Sequence, residues 1–138
     1  SKDWHPKNSV HFEKCPPHCI KGTFGAMFHP YLNTNKINQV FLKGTKDKDD
    51  GYSAFEATNK NLLKYLNDNK IESLFITGLT MEHCLKETAL DAVKNGFETW
   101  IVKDAVAGVK AKKDDEEKAY DEMKRAGVKS VGSSVILD

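Results

Sequence analysis

Cys84 is the residue of this sequence best placed for nucleophilic chemistry. It follows a short apolar run and Gly78, and it stands where a helical pattern begins in TGLTMEHCLKETALDA (residues 77–92). In a first helical turn, unpaired backbone N–H groups and the helix macrodipole stabilise a thiolate. The same N–H groups can hold the oxyanion that forms when a thiolate attacks a carbonyl. Cys84 is therefore either an activated nucleophile or a buried, inert cysteine, and position alone leaves both open.

The N-terminal segment offers metal ligands. Asp3 and His5 are two residues apart, so an extended backbone places both side chains on one face. His11 and His18 follow in proline-punctuated loops that could fold back towards them. Three imidazoles and one carboxylate could form the first shell of Zn²⁺, Fe²⁺ or Mn²⁺ and leave positions open for water or substrate.

Two other interpretations of this segment stay open. The run CPPHC offers Cys15, His18 and Cys19 as a structural zinc knuckle, but it lacks a clear fourth ligand. The histidines could also be surface residues of a loop that bind nothing.

The remaining elements must bring these groups together. Strands and helices are predicted to alternate in this order: a strand over 39–44, a helix over 58–69, a strand over 73–77, a helix over 81–95, a strand over 98–102, a helix over 114–127 and a strand over 128–131. One strand about every 25–30 residues predicts parallel strands joined by crossovers. The sequence therefore predicts a three-layer α/β fold, a parallel sheet with helices on both faces.

Lys43 closes the first of these strands, and the segment after Gly78 follows the next one. Open α/β sheets bind ligands at the carboxyl ends of their strands, so both point to the same edge. A lysine beside Cys84 would favour the thiolate, whereas a solvated strand-end lysine is the simpler interpretation.

Bulk properties exclude several classes of partner. The chain has 138 residues, enough for one domain with a core. Lys+Arg number 21 and Asp+Glu 20, so no basic excess indicates nucleic acid or an anionic membrane. No stretch approaches the roughly 18 apolar residues of a membrane span. Three cysteines, an odd number, favour reduced thiols and predict a cytoplasmic protein.

Five segments in order along the chain resemble the nicotinamidase/pyrazinamidase branch of the isochorismatase-like cysteine hydrolases. They are DWHP with a following HF, PPHCIKGTFGAMFHP, FLKGTKDKDDGYSAF, ITGLTMEHCLKETALDAVKNGFETWIVKDAVAGV and DEMKRAGV. The resemblance implies hydrolysis of a small amide, nicotinamide, to nicotinate and ammonia, as in NAD salvage. It implies that Cys84 is the nucleophile, which forms a thioester, and that Lys43 is the catalytic lysine.

The resemblance also assigns the rest of the site. It implies a cis peptide bond at Leu79–Thr80, which would aim the N–H groups of Thr80 and Cys84 at the oxyanion. Tyr52 and His83 match positions that line the pocket. The metal ligands it implies are Asp3, His5, His11 and His18, with zinc expected and iron or manganese as alternatives; the metal would hold the pyridine nitrogen of the substrate.

The sequence departs from the family pattern at two places. Cys15 stands where the family usually has an aromatic residue before Pro-Pro-His. No residue matches the family's N-terminal catalytic Asp, and the N-terminal strand–helix unit that includes a central strand has no counterpart. We therefore expect residues 1–138 to be a single isochorismatase-like domain that is incomplete at its N-terminus. We expect it not to fold stably alone, because a lost central strand leaves backbone groups unpaired.

The missing strand could come from omitted residues, a separate fragment or another copy of the chain, and we expect a homo-oligomer. Two alternatives for the function remain: a related cysteine hydrolase acting on another small amide, or an inactive truncated relative.

Overall fold

The computed structural model describes residues 1–137, and its strands pair only in parallel, as predicted for an α/β fold. The strands are β1 (Lys2–Asp3), β2 (Leu42–Lys43), β3 (Ser73–Leu79), β4 (Glu98–Ala107) and β5 (Lys129–Val131). The α-helices are α1 (Leu62–Asp68), α2 (Lys86–Lys94), α3 (Asp115–Arg125) and α4 (Ser133–Leu137). Short 3-10 helices lie at Val10–Glu13, Phe24–Ala26, Thr34–Lys36 and Ala54–Glu56, and one π-helical turn at Met81–Leu85.

The chain forms two compact units, residues 1–62 and the residues from 63 onward. The first unit consists mainly of loops and 3-10 helices around one short parallel pair, in which Lys2 faces Leu42 and Asp3 faces Lys43. Its buried residues include several polar ones: His5, Ser9, His11, Lys43 and Ser53. The apolar residues buried there are Ala26, Phe41 and Ala54.

The second unit is a three-stranded sheet in the order β3-β4-β5, packed against α2 and α3. Its core cluster is apolar and consists of Leu85, Ala89, Ile101, Met123 and Val128. Ala89 and Ala92 of α2 are completely buried, because small side chains let the helix approach its neighbours closely. Among the described residues, β4 is the only strand that pairs with β3.

The predicted helix over 58–69 begins four residues late, at Leu62. The backbone N–H of Thr58 donates to the Leu42 carbonyl at 2.9 Å. The Asn59 side chain accepts from Leu42 N–H at 2.8 Å and donates to the Val40 carbonyl at 3.0 Å. These bonds hold residues 58–59 beside the strand, which itself shrinks to Leu42–Lys43, and prevent the helix from starting earlier.

The predicted strand over 98–102 extends five residues further, to Ala107. A register shift after Ile76 lets Gly78 and Leu79 pair with Val106 and Ala107, so β3 and β4 lengthen together. The helix predicted over 114–127 lies at Asp115–Arg125, with the predicted acidic first turn and basic last turn. Neither β1 nor α4 was predicted.

The three cysteines are free thiols, as expected. Within residues 1–137, every helix is too short or too polar to cross the hydrocarbon layer of a membrane.

Candidate active site

Three histidine rings converge in the first unit. One ring nitrogen from each of His5, His11 and His18 lies within 4.8 Å of the others. His5 and His11 are buried, whereas the His18 side chain is 40% exposed, so solvent reaches the group from one side. Asp3 joins them: its Oδ2 lies 3.8 Å from His5 Nε2 and 3.9 Å from His18 Nε2. Both distances are too long for a hydrogen bond. They are compatible with an Asp3 oxygen and two histidine nitrogens that face the same central point.

Short local structures hold these four residues. Asp3 ends β1, and His5 forms an isolated parallel bridge just after it. His11 lies in the first 3-10 helix, and the side chain of the N-cap residue Ser9 accepts its N–H at 3.2 Å. His18 follows two prolines. The residues that the sequence singled out thus lie close together, and their role as metal ligands stays a prediction.

The Nδ1 atom of each ring faces an oxygen that can only accept a hydrogen bond. The acceptors are the Gly44 carbonyl for His5 at 2.9 Å, Asp50 Oδ1 for His11 at 2.8 Å and the Pro16 carbonyl for His18 at 2.7 Å. A neutral ring must therefore carry its proton on Nδ1, which leaves the Nε2 lone pair available. Histidines that bind a metal have this arrangement of outer partners.

His5 provides a test of whether a metal fits here. Its Nε2 atom is buried and has no hydrogen-bond partner among the described residues, which costs free energy unless the atom is ligated. Burial lowers the pKa of His5 below its usual value, although the Asp3 carboxylate opposes this shift. The ring is therefore mainly neutral near pH 7, the form that binds a cation. Three imidazoles and one carboxylate fit a divalent transition metal.

The alternative zinc knuckle does not form among residues 1–137. His18 groups with His5 and His11 rather than with Cys15 and Cys19.

Lys43, the predicted catalytic lysine, is buried at the end of β2. Its ammonium donates to Asp3 Oδ1 and, at 2.9 Å, to the Gly51 carbonyl. The structure thus brings Lys43 to the carboxylate of the histidine group. The predicted proximity of Lys43 to Cys84 stays a prediction.

Two glycines fix the loop that connects these contacts. A Cβ atom on Gly51, whose φ is +59°, would lie 2.0 Å from the Gly44 backbone nitrogen. A Cβ atom on Gly44 would lie 2.3 Å from Cε1 of the His5 ring. Only glycine allows these close approaches, which place the Gly44 carbonyl against His5 and the Gly51 carbonyl against Lys43.

Tyr52, a predicted pocket residue, lies beside the histidine group, with its ring centroid 5.5 Å from that of His11 in an edge arrangement. Phe12 packs against the same rings, 5.6 Å from His5 and 5.9 Å from His18. Cys15 lies two residues after the 3-10 helix that contains His11, and its N–H donates to the His11 carbonyl at 3.1 Å.

Cys84 lies in the π-helical turn Met81–Leu85, which precedes α2, rather than in a first α-helical turn. The peptide bond Leu79–Thr80 is cis, as the resemblance implied. The Thr80 carbonyl accepts Leu85 N–H at 3.1 Å, so the turn is one residue wider than an α-helical turn. Cys84 is half-buried, and its carbonyl accepts the Thr88 hydroxyl at 2.7 Å. The oxyanion role of Thr80 and the pocket role of His83, in this same turn, stay predictions.

Sequence reasoning missed two carboxylates. Asp50 receives His11 Nδ1–H, but it stands in a run of lysines and aspartates that contains no distinguishing signal. Hydrogen bonds lower the pKa of Asp50; the bond from Lys14 has the larger effect and the bond from His11 the smaller one.

Glu82, two residues before Cys84, is buried, and its Oε1 accepts Lys110 N–H at 2.7 Å. Glu82 thus ties the cysteine's turn to the residues that follow β4.

Comparison with known proteins defines the class. The chain matches the family described as Isochorismatase domain over residues 2–134. It is 39% identical to the nicotinamidase/pyrazinamidase of Mycobacterium tuberculosis, over 97% of this chain and 75% of that protein. It is 32% identical to the nicotinamidase of Escherichia coli, over 92% of this chain and 70% of that protein.

Two solved structures of related enzymes have the same fold as this chain. The pyrazinamidase of Pyrococcus horikoshii in complex with zinc superposes with a TM-score of 0.82 at 39% identity, covering 95% of this chain and 72% of that one. PnC1 from L. infantum in complex with nicotinate gives a TM-score of 0.88 at 36% identity, covering 96% of this chain and 70% of that one. The fold and the sequence are those of a hydrolase family whose relatives compared above are named nicotinamidases. The chain belongs to the isochorismatase family.

Proposed function

We propose that this protein is a metal-dependent nicotinamidase, which converts nicotinamide and water to nicotinate and ammonia. The observation that carries the proposal is the convergence of His5, His11 and His18 with the Asp3 carboxylate. Their donor set supports a divalent metal, and the zinc complex of the Pyrococcus horikoshii pyrazinamidase makes zinc the first choice. Such a metal supplies a Lewis acid that holds the pyridine nitrogen of the substrate.

In this proposal the Cys84 sulfur attacks the carboxamide carbon. A C–S bond forms, the carbonyl becomes an oxyanion, and the N–H groups of Thr80 and Cys84 stabilise it. The C–N bond then breaks, and the nitrogen leaves as ammonia with the proton of the thiol. Water adds to the thioester and the C–S bond breaks. One proton of the water returns to the Cys84 sulfur, the other is lost to solvent, and nicotinate is released. The resemblance implies that Lys43 is the catalytic lysine and that Tyr52 and His83 match residues that line the pocket of the family.

The proton carrier in this scheme is the aspartate that the family resemblance implies and that no residue of 1–138 matches. We propose that a segment outside these residues, or another copy of the chain, supplies it together with the strand that completes an isochorismatase-like domain. We propose that the enzyme acts in NAD salvage and that it is cytoplasmic.

Cys84→Ala in the intact protein is the direct test. We expect ammonia release from nicotinamide to fall by about 10⁴-fold or more, because the attacking atom is gone. Zinc content should be unchanged, because the metal ligands are elsewhere in the sequence. Denaturing mass spectrometry of the wild type during turnover should detect the nicotinoyl adduct on Cys84. An alanine variant that turns over at the wild-type rate would disprove the nucleophile.

A second substrate class follows from Cys15. A small side chain stands next to the His11 turn, where the resemblance implies an aromatic residue. This favours another small amide if the pocket is wider than in nicotinamidases. Comparison of kcat/KM for nicotinamide, pyrazinamide and aliphatic amides separates the two, and Cys15→Trp should shift the preference towards nicotinamide.

A further inference from the structure

The Asp50 carboxylate connects the histidine group to a surface lysine. Its Oδ1 accepts His11 Nδ1–H at 2.8 Å, and its Oδ2 accepts the Lys14 ammonium at 2.7 Å. The Asp50 side chain is 28% exposed and that of His11 is 3% exposed, so the pair runs from the interior to the surface. Both oxygens of the carboxylate therefore have a partner, and its orientation is fixed from two sides.

His11 differs in this respect from the other two rings. The Nδ1 atoms of His5 and His18 donate to backbone carbonyls, of Gly44 and Pro16. A carbonyl carries only a partial charge, whereas a carboxylate carries a full one, so it attracts the imidazole proton more strongly. The stronger acceptor therefore holds the ring orientation and keeps the proton on Nδ1, which leaves the Nε2 lone pair free for a metal. Among the three rings, only His11 has an outer partner that a side-chain substitution can remove.

We propose that Asp50 is a positioning residue that raises the metal affinity of the centre by fixing the orientation of the His11 ring and holding its proton on Nδ1. This inference rests on the metal centre of the proposed function. Lys14 holds the second oxygen of Asp50 and prevents the carboxylate from rotating away from His11. Its own ammonium is largely exposed, so it contributes orientation more than charge.

The test is zinc binding by the intact protein, measured in competition with a chromophoric chelator. Asp50→Ala removes both the charge and the acceptor, and we expect the zinc dissociation constant to rise about 10- to 100-fold. Asp50→Asn keeps an acceptor oxygen without the charge, and its effect should be intermediate. Asp47→Asn, an equal change of charge at an exposed residue of the same loop, should leave zinc affinity unchanged. The rise in melting temperature on zinc addition, measured for each protein against its own metal-free form, should be smaller for Asp50→Asn than for wild type, which separates this role from a structural one.

The His11→Ala variant makes the outcomes distinguishable. If wild type binds zinc, His11→Ala loses it and both Asp50 variants bind like wild type, the inference about Asp50 is wrong and the metal centre stands. If wild type does not bind zinc, the metal centre fails and the inference fails with it. If Asp50→Ala does not fold, the isosteric Asp50→Asn variant decides: unchanged zinc affinity there would overturn the proposal.

Discussion

The first unit buries His5, Ser9, His11, Lys43 and Ser53, whereas the core of the second consists of Leu85, Ala89, Ile101, Met123 and Val128. Apolar packing is non-directional, and it stabilises a fold without specific partners. A polar interior is stable only where each buried group has its hydrogen bond, ion pair or ligand. The second unit therefore depends on how well apolar side chains fill its core, whereas the first depends on polar partners, one of which would be the proposed metal at the His5 Nε2 atom.

Met123→Ala should have the largest effect on the second unit. Met123 is completely buried, so the substitution removes apolar contacts and leaves a cavity, at a cost of about 2–5 kcal/mol in the free energy of unfolding. Urea denaturation of the intact protein measures this. The exposed neighbour Asp121, changed to alanine, should shift the same free energy by less than about 0.5 kcal/mol. If Met123→Ala lowers the free energy of unfolding by less than about 0.5 kcal/mol, the second unit does not depend on its apolar core.

Zinc should stabilise the first unit selectively. At a free concentration 100 times its dissociation constant, a ligand of the folded state alone adds about 2.7 kcal/mol. Native-state hydrogen exchange should show this gain at amides of β1 and β2 and no gain at amides of α2. The His18→Ala variant serves as the control and should lose the effect. An equal gain in α2 would mean that the two units unfold together.

Ser53→Ala should have a smaller effect. The Ser53 hydroxyl accepts Phe55 N–H at 3.2 Å, and Glu56 Oε2 accepts Ser53 N–H at 2.8 Å, which completes a capping box. Loss of the cap should cost about 1 kcal/mol in urea denaturation. Glu56→Gln keeps an acceptor and should cost less. If the alanine variant matches wild type, the polar interior does not depend on this bond.

The second unit was largely predictable. The apolar run before Gly78, the alanines of α2 and the charge pattern of α3 predicted β3 and the two helices, and the spacing of the strands predicted their parallel pairing. The predicted end of β4, at residue 102, was wrong. Gly78 and Leu79 pair with later residues of β4 after a register shift, and such a shift depends on the partner strand rather than on the local sequence. The π-helical turn at Cys84 was missed because helical periodicity does not distinguish a turn that is one residue wider.

The first unit was less predictable, although the residues of its histidine group were singled out. Residue types and spacing indicated Asp3 and the three histidines as metal ligands, and the structure places these residues close together. Asp50 could not be found, since its partner His11 is distant in sequence and its neighbours carry the same charges. The strand β1 is two residues long and has no periodicity to detect.

The contact between Gly44 and Gly51 closes the segment between them into a ring whose ends cannot vary, because any side chain there meets backbone or the His5 ring. The middle of the segment has no such restriction: Lys46, Asp47 and Lys48 are exposed. A fluorophore attached at residue 48 would sit two residues from Asp50 without entering the interior. A fluorophore attached there would report optically on whether the proposed metal is bound.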